Sequence, residues 1–212
     1  MSGAKLAAPF LSLIPITGVA ISVFGSDSAA SAIHASDVTA SRLEEIHFDL
    51  GEGPMFECLT TARPVLVPDV ATEDRWPVFL SNADDLRVSA LFLFPLTLGV
   101  TCVGAVLCYR DTPGALSDAE IEMGSALSRA ISGPAFRNAS FMADDEGVNS
   151  EPSIEMWRQV HQATGMVLVQ LDTTATDAFA QMRAHAFSHG TSLRRVASDV
   201  VTRRLDFSRL GE

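Results

Sequence analysis

The chain has 212 residues, 47% of them apolar and 19% charged, with a formal net charge of −11. That apolar share supports a packed core and excludes a disordered chain, and the length holds one large domain or a medium domain joined to a small one. The acidity argues against a surface that binds nucleic acid throughout.

Lys5 followed by LAAPFLSLIPITGVAISVF has the outline of a signal peptide, with SAIHA beyond it. Pro9 and Pro15 interrupt the run, and Val19, Ile21 and Val23 alternate as in a strand, which a spanning helix does not tolerate and which makes a cleaved signal the minor reading. The expectation is therefore a short helix over Ala4 to Leu13, cut or bent by Pro9, then a strand over Thr17 to Phe24 with no membrane segment. Gly25-Ser26-Asp27 turns the chain, and Ala32 to Ser36 completes a hairpin.

Leu43, Ile46 and Leu50 have helical spacing, and Gly51-Glu52-Gly53-Pro54 ends that helix. The glycines do not form a phosphate loop, because the lysine and the following Ser or Thr are missing. Met55 to Thr61 reads as a second helix, and Pro64 to Asp69 as a short strand bracketed by prolines. Asp74-Arg75 beside Trp76 reads as an ion pair pinning a loop. Val88 to Leu98 reads as an apolar strand pair, turned by Gly99 and Thr101 into a strand over Cys102 to Tyr109. Leu116 to Arg137 is a helix opened by a capping box, Ser117 with Glu120. Asn138 to Glu151 is polar and without period, so it reads as a linker.

Three cysteines, Cys58, Cys102 and Cys108, form no metal spacing. Cys102 and Cys108 fall on one face of a strand by parity and cannot bridge each other. All three read as reduced thiols of a cytoplasmic protein, and Cys58 has no adjacent base to make it a nucleophile.

Beyond the linker, apolar positions recur in steps of three and four. They are Ile154, Trp157, His161, Thr164, Leu168 and Leu171; then Ala175, Ala178, Phe179, Met182 and Ala186; then Leu193, Val196, Ala197, Val200 and Val201. That is three short amphipathic helices, with Thr174 capping the second and Gly190 ending it in the left-handed conformation. His185 and His189 are four apart on a helix, yet no third metal ligand is placed near them. Charge is balanced here, with Arg158, Arg183, Arg194, Arg195, Arg203, Arg204 and Arg209 against Glu151, Glu155, Asp172, Asp177, Asp199, Asp206 and Glu212. The basic residues are all arginine, suited to bidentate phosphate contacts and to stacking on bases.

Ala163-x-Gly165, Ala175, Ala178, Met182-Arg183, Ala186, Leu193 and Val196-Ala197 resemble the ANTAR domain, a small helical RNA-binding module of bacterial transcription antiterminators. That family has Ala-Lys-Gly where this chain has Ala163-Thr164-Gly165. The resemblance implies RNA contacts from Arg158, Thr164, Arg183, Arg194, Arg195, Arg203 and Arg204, with Arg183 foremost because Met182-Arg183 matches a Leu-Arg pair. Gly165 admits two readings, a close approach to RNA or tight helix packing.

A second resemblance covers Ile14 to Arg137. Ile14-Pro15-Ile16-Thr17-Gly18-Val19-Ala20-Ile21-Ser22, Leu50-Gly51-Glu52-Gly53-Pro54, Arg63-Pro64-Val65, Asp69, Asp74-Arg75-Trp76-Pro77, Phe94-Pro95-Leu96 and Cys108-Tyr109-Arg110 are similar to the GAF domain found in front of ANTAR in actinobacterial regulators. It implies an α+β fold, an antiparallel sheet flanked by helices, with a ligand pocket on the side of Gly51 to Thr61. Phe56, Trp76, Phe79, Phe92 and Phe94 are the candidate lining for a small molecule. A bilin-attachment cysteine is not recognisable.

The organisation expected is a GAF-like sensor over 1–137, a linker over 138–152 and an ANTAR unit over 153–212. Together the resemblances imply a cytoplasmic homodimer that binds paired RNA hairpins in nascent leader transcripts, with no catalytic residue, metal or cofactor. Two alternatives stand beside it: a DNA-binding regulator, since three helices can form a helix-turn-helix, and a GAF-type methionine sulfoxide reductase using the cysteines.

Overall fold

The structure is a computed structural model that describes residues 2–24, 30–144 and 152–209. Helix α1 (Gly3–Leu13) precedes strands β1 (Gly18–Phe24) and β2 (Ala30–Ala35), and helices α2 (Val38–Leu50) and α3 (Pro54–Thr61) follow. Strand β3 (Val65–Val67), helix α4 (Pro77–Ala83), strands β4 (Ala90–Leu98) and β5 (Thr101–Arg110) and the long helix α5 (Asp118–Asp144) complete the α+β part. The remainder is helical: α6 (Pro152–Leu171), α7 (Ala175–Ser188) and α8 (Leu193–Val201). Two compact units divide the chain, with the main break after residue 149.

The sheet has the order β2-β1-β5-β4-β3, and β5 runs antiparallel to both β1 and β4. Alternation sends Val19, Ile21 and Val23, with Phe92, Phe94 and Leu96, to one face, where they meet Leu6 and Phe10 of α1 and Ile131 and Ala135 of α5. The opposite face, carrying Ala20, Ser22, Leu91, Leu93, Ala105 and Leu107, is buried too, under α2 and α3. A sheet covered on both faces reads as continuous apolar runs rather than clean alternation, as LFLFPL and VGAVLC do.

Several elements depart from the sequence expectation. Val88 to Leu98 is not a strand pair: β4 runs through it without a turn and pairs along its whole length with β5. The register slips there, since Leu96 faces Gly104 but Thr97 faces Cys102, leaving Val103 as an extra residue. This bulge overturns the parity argument for the cysteines. Cys108 lies in the core under α1 and α5, whereas Cys102 is turned to the other face, near enough to Cys58 to raise its pKa.

Helix α1 runs uninterrupted past Pro9, because its Leu6, Ala7 and Phe10 face is buried in the core and tertiary packing outweighs one lost hydrogen bond. Helix α4 is too short for its periodicity to be seen, although Pro77 at its first turn is a start signal. The capping box of α5 is formed, with Ser117 N donating to Glu120 Oε2 at 2.7 Å and Glu120 N to Ser117 Oγ at 3.4 Å. That helix continues to Asp144, so the stretch from Asn138 to Asp144 is helical and not irregular.

Helix α5 lies close on β4 because Gly124 has no side chain there. A Cβ at Gly124 would stand 2.4 Å from the ring of Phe94. Gly124→Ala is expected to destabilise this unit by about 1–3 kcal/mol in urea unfolding. Gly133→Ala, whose Cβ would meet only the end of Arg137 at 3.5 Å, is expected to be neutral or stabilising on the same helix.

Candidate functional site

The helical unit is organised by small residues. Helix α6 buries Val160, Ala163, Thr164 and Val167, α7 buries Ala178, Met182 and Ala186, and α8 buries Leu193, Val196, Ala197 and Val200. The stripes of α7 and α8 are those read from the sequence. On α6 the buried stripe is displaced from the expected one, and Leu168 and Leu171 are only half-buried. The helix packs against both α7 and α8, and alanine and valine permit that double approach where leucine does not. Thr174 caps α7 through its hydroxyl and Asp177 N, at 3.2 Å, and Gly190 ends it at φ +59°. Ser192 caps α8.

Thr164 cannot serve as an RNA contact. It is 7% exposed, and its hydroxyl donates to the Val160 carbonyl at 2.8 Å and lies 3.8 Å from Met182 Sδ. Gly165, one residue on, is exposed, and a Cβ there would meet nothing within 4 Å, so the tight-packing reading of this glycine is also overturned.

The arginines fall into distinct settings. Arg183 is half-buried on α7, where desolvation holds its guanidinium below the usual value. Arg194 and Arg195 are exposed on α8, and Arg195 Nε donates to Asp199 Oδ2 at 3.0 Å. Asp199 also faces Arg204 Nη1 at 3.7 Å, so one carboxylate gathers two cations. Arg158 belongs to α6, but its side chain lies outside the described residues. Arg203 stands apart at φ +58° on the rim of a concavity of about 640 Å³. Gln162, Gly165, Met166, Val169 and Gln170 of α6 line it, with Leu205, Asp206 and Arg209 from the segment after α8. Of the candidate RNA contacts whose side chains are among the described residues, Arg203 is the one that lines it.

His185 and His189 stack with ring centroids 4.0 Å apart, and Phe207 closes edge-on over His185 at 5.3 Å. Among the described residues no group of three or more His, Cys, Asp and Glu could hold a metal ion. Among them, too, no helix is long and apolar enough to cross a membrane.

In the sheet unit the five aromatic candidates do not share a wall. Phe92 and Phe94 lie on the α1 and α5 face of the sheet. Phe79 is buried beyond the opposite face, its ring 4.2 Å from that of His47. Phe56 is half-buried against the edge of Phe48, and Trp76 carries Arg75 at 4.2 Å above its ring. Parity along β4 is the reason for the split. Arg75 does pin its loop, although its partners are Glu73 at 2.7 Å and Glu57 at 3.0 Å rather than Asp74.

What the sequence reading missed lies on α2. Glu44 and His47 are 1% and 0% exposed on the same helix face as Ala40 and Leu43. Ser22 of β1 donates its hydroxyl to Glu44 Oε1, and Glu44 Oε2 has no partner among the described residues. His47 Nδ1 lies 2.7 Å from the Leu43 carbonyl, which places the proton on Nδ1 and leaves Nε2 an unpartnered acceptor. Burial pushes the Glu44 carboxyl up to about 8 and the His47 imidazole down to about 3, so both are neutral at neutral pH. The detectable signal was the i, i+3 spacing of Glu44 and His47 in register with Ala40 and Leu43.

Comparison with known families identifies both units. A GAF domain model matches residues 12–133, more than half of the chain, and an ANTAR domain model matches residues 155–201. The chain belongs to the GAF domain family and carries an ANTAR domain. No curated protein matches it. Solved structures with a similar fold include the cyanobacteriochrome TePixJ GAF domain, at 17% identity and a TM-score of 0.51, covering 65% of this chain and 88% of that one. GAF3 from Slr1393 of Synechocystis sp. PCC6803, in its photoproduct state, matches at 17% identity and a TM-score of 0.51, covering 68% and 97%. At that identity they share the fold alone with this GAF and ANTAR domain protein.

The buried pair in the GAF domain makes its stability depend on pH. The folded chain keeps a proton on Glu44 to about pH 8 that the unfolded chain releases near 4.5, so this contribution falls as pH rises through that interval. His47 acts oppositely: the unfolded chain takes up a proton near 6.5 and the folded chain only near 3, so its contribution falls as pH drops through that range. Of the two, only Glu44 titrates differentially from 6.5 to about 8. In thermal melts over that interval the midpoint of the Glu44→Gln variant is expected to decline less than that of the parent; equal declines would show that another group is responsible.

Proposed function

We propose that this GAF and ANTAR domain protein is a signal-responsive transcription antiterminator. Its ANTAR unit binds paired RNA hairpins in a nascent leader transcript, and its GAF domain senses a small molecule. We assign residues 1–137 to the sensor, 138–152 to the connection and 153–212 to the effector, working as a cytoplasmic homodimer. The observation that carries the reading is the ANTAR match over α6, α7 and α8, with Arg194 and Arg195 exposed on α8 and Arg203 and Arg204 exposed just beyond it. Hairpin loops are read by stacking and by hydrogen bonds to unpaired bases while arginines hold the phosphates, and such a surface supplies those contacts. Differential affinity of the sensor's ligand for two conformations is sufficient to control it.

The reading requires no covalent chemistry. Burial pushes the Cys58 thiol up to about 12 and raises Cys102 and Cys108 as well, whereas a thiol that attacks a sulfoxide must ionise readily. This disfavours the sulfoxide reductase alternative.

A salt-resolved titration of the full chain against a two-hairpin RNA, a scrambled RNA and duplex DNA tests the proposal. The expected result is preference for the paired hairpins, with affinity reduced about tenfold in Arg183→Ala. Equal or tighter binding to duplex DNA would favour the DNA-binding alternative instead.

A further inference from the structure

Besides Asp172 at φ +49°, Gly165 and Arg203 are locally unfavourable choices in the ANTAR unit, and these two face one concavity. Gly165 sits inside α6, where glycine is a poor helix former, yet no neighbour among the described residues requires its missing side chain, since a Cβ would meet none of them within 4 Å. Arg203 holds φ +58°, a conformation that glycine or asparagine adopts at lower cost. Local rules broken without a packing reason are expected at functional or strained sites, and the shared concavity points to the former here.

The concavity between them has about 640 Å³ of space, within the range of small-ligand sites and ample for one nucleotide. Its floor is the bare backbone at Gly165. Met166 and Val169, the latter 76% exposed, supply an apolar wall. Gln162 offers an exposed amide, while the Gln170 carbonyl is already engaged by Phe207 N at 3.0 Å. Arg203 and Arg209 stand at the rim, Arg209 held by Asp206 at 3.6 Å. The bare backbone at Gly165, an apolar wall, one amide and two arginines, one of them paired with Asp206, match a base flanked by phosphates.

We infer that this concavity takes one unpaired nucleotide of the RNA, its base lying on the Gly165 backbone against Met166 and Val169, with Gln162 at the base edge and Arg203 and Arg209 on the neighbouring phosphates. The inference rests on the RNA-binding function proposed above. It differs from the contacts expected from sequence: Arg195 and Arg204, gathered by Asp199, are not part of it.

Gly165→Leu and Arg203→Gly test it, because each removes a local penalty while altering the site. Both are expected to raise the unfolding temperature, or leave it unchanged, while lowering affinity for the hairpin RNA by about tenfold. A purely structural residue does not lose binding while gaining stability. Binding of the full chain is measured by fluorescence anisotropy on the two-hairpin RNA and on a fully paired duplex RNA with the same stem, with the oligomeric state followed by sedimentation. If the parent protein binds the hairpins and both variants bind as tightly, or if stem and hairpin bind alike, the nucleotide site is refuted while the RNA-binding function stands. A change of oligomeric state in Gly165→Leu that accounts for the lost affinity refutes it also, making this face a contact between copies. If the parent protein binds no hairpin RNA, the proposed function itself is refuted.

Discussion

Strand β5 occupies the centre of the GAF sheet, and its extra residue at Val103 determines which helical layer its side chains serve. On the Tyr109 side of the bulge, alternation sends Val106 and Cys108 under α1 and α5. On the Thr101 side the slip turns Cys102 to the layer of α2 and α3. With both faces buried, a shift of one position exchanges partners in two cores at once, so this register is tightly specified. The close seating of α5 on Phe94 at Gly124 depends on the same parity along β4.

That arrangement also encloses the least expected chemistry of the domain. Two polar side chains of α2 are buried, one a carboxylic acid accepting a bond from Ser22 of the sheet and the other a neutral imidazole packed on Phe79 and fixed by its own helix backbone. Each leaves an atom without a partner among the described residues, and a buried polar group in that condition costs about 1–3 kcal/mol. The cost is met by the apolar layers around it, among them Leu43, Met55 and Phe79.

The ANTAR unit solves a different problem, that of building a stable core from three short helices. Ala163, Ala178, Ala186 and Ala197 let α6 lie close to both partners, while threonine and serine caps satisfy the first amides of α7 and α8. Because the core is made of small residues, the charges remain outside, and ion pairing at Asp199 distinguishes Arg195 and Arg204 from Arg203. Exposed pairs of this kind contribute little to stability and are easily exchanged for phosphate.

Local chemistry is what the sequence by itself determined. The capping box at Ser117, the end of α7 at Gly190, the stripes of α7 and α8, and most strands and helices of the sensor are legible because each depends on residues a few positions apart. The residues that resemble GAF and ANTAR were legible for the same reason. Only the tertiary structure decided the rest. Whether Phe92 and Phe79 share a wall, whether Cys102 and Cys108 share a face, and whether Thr164 or Gly165 is the one exposed depend on which neighbour approaches from far along the chain. Periodicity shows that a helix has an apolar side but leaves its rotation uncertain by a residue, and a single bulge reverses strand parity without any mark in composition. The concavity at Gly165 belongs to this second class, since it needs residues near 165 and near 203 that only the packing of α6 against α8 brings together.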